Sequence, residues 1–196
     1  MAAYYERRAP EYDDWYLGRG LFEERERPGW HEELAAIVRL VGSLGAARTL
    51  DVACGTGFIT RHLQGDVVGL DGSQSMLEAA RSRVHGARVR ADGLTLPFRD
   101  HSFDRLFTGH FYGHLGVGER GRFLAETRRV ASELVVLDAA LRDDVAPEEL
   151  QTRVLSDGST HQVYKRYFAA RSLIDELGGG EPLHEGRWFV VVSSHR

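Results

Sequence analysis

Cysteine occurs once in these 196 residues, at Cys54, so no internal disulfide can form and the chain suits a reducing compartment. Lysine also occurs once, at Lys165, and every other basic side chain is arginine. With alanine and glycine so plentiful, that bias reads more simply as coding in a GC-rich bacterial genome than as an RNA-binding surface. No apolar run is long enough to cross a membrane. The opening stretch "MAAYYERRAPEYDDWY" lacks an apolar signal core, so nothing marks the chain for export and a cytoplasmic location is expected. A net charge of −4 argues against extended contact with a phosphate backbone. Neither H-E-x-x-H nor a cysteine pair occurs, which leaves metal chemistry without support. G-x-S-x-G is absent too, so no serine-hydrolase elbow is expected. The absences leave no metal, nucleic-acid or membrane partner expected.

What is present is alternation. Leu34, Ile37, Val38 and Val41 recur at helical spacing over His31–Leu44, with Gly45 as the stop. The pattern then predicts a strand at Arg48–Val52, a short helix at Gly57–Gln64, a strand at Asp66–Leu70 and a helix at Ser73–Val84 capped by Ser73. Strands follow at Ala87–Ala91 and Phe103–Thr108, a helix at Glu119–Ala131 and a strand at Glu133–Leu137. Such order implies parallel strands with helices on both faces. Beyond Asp138 the pattern weakens. "LRDDVAPEELQTRVLSDGST" reads as short helix and loop, and "HQVYKRYF" as extended. A helix at Arg171–Leu177 should stop at Gly178, and "EPLHEGRWFVVVSS" reads as two antiparallel strands around Glu185-Gly186.

In doubly wound sheets a ligand sits where the first strand turns into the next element. "RTLDVACGTGFITRHL" occupies that place, and Gly55 and Gly57 let the main chain approach a ligand. A dinucleotide site of the G-x-G-x-x-G kind would need glycine where Thr60 stands. The second strand ends on Asp71, a carboxylate able to accept the ribose hydroxyls of an adenosine. A capping role for Asp71 is the alternative, although Ser73 is already placed to cap.

The acid-x-G-x-G-x-G fingerprint of class I S-adenosylmethionine-dependent methyltransferases resembles Asp51, Ala53, Gly55 and Gly57, with Ala53 in place of the first glycine. "LDGSQSML" and "RADGLTLPFRDHSFD" are similar to that family's next two motifs, in the same order and spacing. The N-terminal "YYERRAPEYDDWY" and the final "GRWFVVV" resemble its ubiquinone/menaquinone-type branch. The resemblance implies a Rossmann-like doubly wound seven-stranded sheet, mostly parallel with an antiparallel last strand. It also implies a single domain over 1–196: a helical lid segment (1–44), a cofactor-binding core (45–138), and a substrate cap with the last strands (139–196).

S-adenosyl-L-methionine is the implied cofactor, with a small molecule as acceptor. The methionine portion would lie at Asp51, Ala53, Cys54, Gly55 and Gly57, flanked by Thr108 and Gly109. The ribose would lie at Asp71 and Gly72, and the adenine against Met76, Asp92, Gly93 and Leu94. Tyr12 is expected to reach the cofactor, and Arg8 to hold a carboxylate of the cofactor or substrate. Trp15 and Tyr16 are expected to line the acceptor site, with Tyr5, Tyr112 and Arg166 as further lid or acceptor candidates. For the N-terminal aromatics, plain core packing stands equally open, and for Arg166 a surface salt bridge does. His110 is the first candidate general base and His114 the second, each set against a hydrogen-bonded packing role. Cys54 reads as a packing residue. Two other functions stand beside small-molecule methylation: a methyltransferase acting on nucleic acid, and a protein that binds S-adenosylmethionine without transfer.

Overall fold

A computed structural model describes residues 2–195 of the chain. The N-terminal segment comprises α1 (Ala2–Arg8), a 3-10 turn (Ala9–Glu11) and α2 (Asp14–Leu17). α3 (Trp30–Ser43) follows and buries Trp30, Leu34, Ile37 and Val41, the helical stripe of its sequence. β1 (Ala47–Val52), β2 (Gly65–Asp71), α4 (Gln74–Ala79), β3 (Arg88–Arg90), β4 (Phe103–Gly109), α5 (Val117–Val130) and β5 (Ala131–Ala139) come next. The chain then forms β6 (Glu148–Val154), β7 (Thr160–Arg166), α6 (Ala170–Leu177), β8 (Glu181–Glu185) and β9 (Phe189–His195).

Seven strands form one sheet in the order β3-β2-β1-β4-β5-β9-β8, while β6 and β7 pair as a separate hairpin. β3, β2, β1, β4 and β5 are parallel, and β9 runs antiparallel to both neighbours. β5 shows why the sheet is covered on both sides. Leu134 and Val136 join Phe123 of α5 and Leu173 of α6 in one cluster, whereas Val135 and Leu137 join Ile37 and Val41 of α3 in another. Successive strand side chains point to opposite faces, so a continuous apolar run needs a helix layer on each.

Three expectations are corrected. No α-helix follows the glycine loop: the stretch 57–64 holds only a 3-10 turn at Thr60–His62. The Thr60 hydroxyl donates to Asp51 Oδ2 at 2.6 Å, and the chain must already turn into β2 at Gly65, where φ is 93°. The loop therefore offers its own N–H groups but no helix dipole. α4 is shorter than the pattern predicts and tightens into a 3-10 turn at Ala80–Ser82, although Ser73 does cap it, accepting from Met76 N at 3.2 Å. The segment expected as helix and loop after Asp138 contains β6. Its alternation is inverted: Glu149, Gln151 and Arg153 are half-buried, while Leu150 and Val154 stand in solvent. The α6 start lacks a side-chain cap at Ala169, as its sequence indicates.

Candidate active site

β1 and β4 are neighbours with β2 on one side and β5 on the other, so the strand order reverses between them. A crevice opens at the carboxyl ends there. The loop after β1 is held open by three left-handed residues, Ala53 (φ 60°), Gly55 (φ 54°) and Gly57 (φ 75°). For Ala53 this geometry costs about 1 kcal/mol that glycine would not lose. Asp71, at the end of β2, accepts from Gly55 N at 2.9 Å through Oδ2 and from Ser73 N at 2.9 Å through Oδ1. One carboxylate thereby fixes the glycine loop and the start of α4 together.

Around these groups lies a cavity of about 300 Å³. Of the residues predicted to hold a cofactor, Tyr12, Ala53, Gly55, Asp71, Gly72, Met76, Asp92, Gly93, Leu94 and Gly109 line it. Asp92 Oδ1 is fastened by Leu94 N at 2.9 Å, and Met76 is buried. The Tyr12 ring lies over Gly55, where an added Cβ would meet it at 3.5 Å. Others are placed elsewhere. Gly57 packs against Val84, Arg83 and Ala80, and the Cys54 sulfur packs under Gly69. Burial pushes the Cys54 thiol well above its ordinary pKa, so it is an inert packing group. Thr108 donates to Val52 O at 2.8 Å and ties β4 to β1. Asp51 sits beneath the loop beside Ala53 and Cys54, and its Oδ1 is buried without a partner. Burial first, with the Asp71 charge adding and the Thr60 hydrogen bond opposing, raises its carboxyl to about 7. Leu70 and Ala91, at the edges of the quoted motifs, and Phe111, Leu115 and Glu119, which no motif singles out, also line the cavity.

A second, larger cavity of about 680 Å³ adjoins the first. Tyr5, Tyr12 and His110 line both, so they form the frontier between them. Of the other acceptor-side candidates, Trp15, Arg8 and His114 line the larger cavity, whereas Tyr16, Tyr112 and Arg166 do not. Tyr16 stacks on Phe58 with centroids 4.3 Å apart. The Tyr112 hydroxyl donates to Glu176 at 3.2 Å, and Arg166 pairs with the same carboxylate at 3.2 Å. The β6–β7 hairpin supplies a wall through Glu149, Arg153, Lys165 and Tyr167, none of which the sequence pattern marked.

The N-terminal segment is strapped across both cavities. Glu6 accepts from Gln74 N at 2.7 Å and Ser75 N at 3.0 Å at the start of α4. Asp13 accepts from the Thr56 hydroxyl at 2.5 Å and pairs with Arg83 at 2.7 Å. Glu11 accepts from Ser156 N in the hairpin turn at 2.9 Å.

His110 holds a left-handed backbone (φ 58°), stands edge-on to Trp15 and keeps Nε2 buried without a partner. Its Nδ1 is 4.0 Å from Asp138. Burial lowers its pKa from 6.5 to about 3, with the Asp138 charge opposing and Lys165 and Arg153 adding. The imidazole is therefore neutral near pH 7. Between those two pKa values the unfolded chain binds one more proton at this site than the folded protein does. Wild type should thus lose stability relative to His110→Asn by about 1.4 kcal/mol per pH unit as pH falls below the unfolded value. Asparagine keeps the left-handed backbone accessible. Urea unfolding of both proteins near neutral pH and near pH ~5 measures this, and an unchanged difference would mean that the folded imidazole is charged. The His114 imidazole, whose Nδ1 lies 2.7 Å from Tyr164 O, is also held neutral by burial.

Among the described residues, no helix is long and apolar enough to cross a membrane, and no three His, Cys, Asp or Glu side chains gather as a metal site.

The sheet order and the crevice at its reversal point define a doubly wound α/β protein that takes its ligand at the carboxyl ends of the strands, and comparison with known proteins makes this particular. A methyltransferase-domain profile matches residues 50–134. The 2-phytyl-1,4-naphtoquinone methyltransferase of Trichormus variabilis is 32% identical over 78% of this chain and 68% of that protein. The demethylmenaquinone methyltransferase of Thermotoga maritima is 35% identical over 52% of this chain and 48% of that protein. This chain spans about half the length of such demethylmenaquinone methyltransferases. The fold is shared with DhpI, solved as a DhpI-SAM-HEP complex, at TM-score 0.76 and 24% identity, over 97% of this chain and 94% of that one. It is shared also with the CcbJ methyltransferase of Streptomyces caelestis at TM-score 0.64 and 17% identity, over 97% and 96% of the two chains. The chain belongs to the class I S-adenosylmethionine-dependent methyltransferases, in their menaquinone-methyltransferase-like branch.

Proposed function

We propose that the protein methylates a small-molecule acceptor held in the larger cavity, using S-adenosylmethionine held in the smaller one. The observation that carries this reading is that the two cavities meet at Tyr5, Tyr12 and His110. The residues present suit the cofactor. Asp71 retains free lone pairs for ribose hydroxyls, and Met76 and Asp92 on the same cavity offer a base an apolar surface and a hydrogen-bond acceptor. When bound, the sulfonium supplies an electrophilic methyl group.

The chain's own part is to position and to exclude water. Tyr12 covers Gly55, and the ties of Glu6, Asp13 and Glu11 hold the strap shut over the crevice. His110, with a pKa of about 3, is a weak base; its unpartnered Nε2 orients the acceptor by a hydrogen bond instead. The aromatic side chains Trp15, Trp30, Tyr167 and Trp188 on the larger cavity suit a planar acceptor of the kind the naphthoquinone methyltransferases are named for.

Calorimetric titration with S-adenosylmethionine, S-adenosylhomocysteine and NAD tests the reading. Binding of both adenosyl compounds and not of NAD is expected, and folded protein that binds neither would overturn it. Tight binding without turnover on any acceptor would favour a non-catalytic binding protein.

A further inference from the structure

Charge is distributed unevenly in this molecule. The chain as a whole is −4, yet the larger cavity is lined by Arg8, Arg25, Arg27, Arg142, Arg153 and Lys165 against a single carboxylate, Glu149. Two of these cations are committed: Lys165 to Asp138, and Arg142 to Asp144 at 2.8 Å. The other four have no carboxylate within 4.0 Å among the described residues. Arg8 is only 7% exposed, bonds to the Tyr4 hydroxyl and lies 5.3 Å from the Tyr12 ring centroid. Arg153 is held by Gln151 Oε1 at 2.8 Å and reaches Tyr4 from the opposite wall. Arg27 is fixed by Trp15 O at 2.8 Å and stacks on Trp30 at 3.9 Å. Glu149 pairs with none of them within 4.0 Å; its Oε1 accepts from Gln151 at 2.8 Å and from the Tyr167 hydroxyl at 3.1 Å.

Gathering unpaired guanidinium groups in a half-desolvated space is unfavourable unless a counter-charge joins them. Two of the arginines show the same strain, whereas at Arg8 burial is outweighed by Tyr4 and Tyr12 and the pKa is raised. Burial first, then Arg153 and Arg8, lowers the pKa of Arg25, and burial with Arg25 lowers that of Arg27. Planar forks of N–H donors held by aromatic rings and backbone suit one ligand chemistry above others, the bidentate oxyanion.

We infer that the acceptor carries an oxyanion, a carboxylate or a phosphoryl-type group, which Arg8, Arg25, Arg27 and Arg153 hold in the larger cavity. The inference rests on reading that cavity as the acceptor site. It sets this chain apart from a protein whose acceptor is a neutral ring alone. The cavity volume of about 680 Å³ accommodates a small acceptor whose ring lies against Trp15 and Trp188 while its anionic end meets the arginines.

Calorimetry separates the two readings. The protein is first titrated with S-adenosylhomocysteine, and then, with and without that compound, with phenylphosphonate, benzoate and neutral benzyl alcohol. At least one anion should bind on the order of tenfold more tightly than benzyl alcohol. The phosphonate and benzoate arms distinguish a tetrahedral dianion from a planar carboxylate. Arg153→Gln and the exposed Arg25→Gln should each weaken the preferred anion on the order of tenfold while S-adenosylhomocysteine affinity stays unchanged. Equal affinity for charged and neutral probes, or no binding of any, overturns the proposal, as does undiminished anion binding by both variants. Loss of S-adenosylhomocysteine binding alone counts against the methyltransferase reading and leaves the anion result to be judged separately.

Discussion

Asp138→Ala is expected to destabilise the protein by about 3–5 kcal/mol, as breaking one side of a buried ion pair does. Asp138, at the end of β5, is fully buried and accepts from Lys165, from Gly113 N at 2.7 Å and from its neighbour Ala139 N at 2.8 Å. Lys165 is 5% exposed, so removing the carboxylate strands an ammonium group in the interior. The site also tolerates no shift of the backbone. A Cβ on Gly113 would stand 2.9 Å from Asp138 Oδ1 and 2.7 Å from Arg166 O. Urea unfolding measures the loss, and the double variant Asp138→Ala/Lys165→Met should recover most of it, because no charge is then left buried. A loss below ~1 kcal/mol in the single variant would show that the ammonium finds another partner or sheds its proton. Burial alone would raise the Asp138 pKa, but the Lys165 ammonium outweighs it and holds the carboxyl below its ordinary value. The stabilisation is therefore present above the ordinary carboxylate range and lost as pH falls through the lower folded value.

Asp71→Ala should weaken S-adenosylhomocysteine binding about 100-fold or more, since hydrogen bonds to a charged group are worth about 1.5–3 kcal/mol each. Two effects combine. The carboxylate oxygens available to a ribose disappear, and so do the 2.9 Å bonds to Gly55 N and Ser73 N that hold the loop's shape. Asp71→Asn keeps one acceptor oxygen and should fall between wild type and alanine. Calorimetry reads the affinity, and thermal unfolding without ligand checks that the variant folds. A change smaller than about threefold (~0.6 kcal/mol) would place the ligand away from the end of β2.

The sheet was legible because its signals are local. β1, β2, β4 and β5 are short apolar runs, too short for a buried helix and rich in β-branched or aromatic residues, and β8 and β9 are separated by a plain turn signal. β6 was not legible for an equally physical reason. Sequence reading assumes that apolar residues are the buried ones, but β6 borders an open cavity, so Glu149, Gln151 and Arg153 are its half-buried positions while Leu150 and Val154 stay exposed at the rim. The helix expected after Gly57 is cut to one 3-10 turn because the chain must already reverse into β2 at Gly65, a demand of the sheet that no period reveals.

The sequence by itself determined the family, the doubly wound layout, the glycine loop and the acids at 51, 71 and 92, because these reside in short contiguous motifs. Only the tertiary structure decided which glycine faces a cavity: Gly55 lies under Tyr12, while Gly57 is packed against Val84. It alone took Tyr16, Tyr112 and Arg166 off the walls of the two large cavities and into packing and pairing. It alone brought Arg8, Arg25 and Arg153 to one space from α1, from the loop before α3 and from β6. Long-range convergence of charge has no sequence period, since the residues that meet are set by how layers pack rather than by their spacing along the chain.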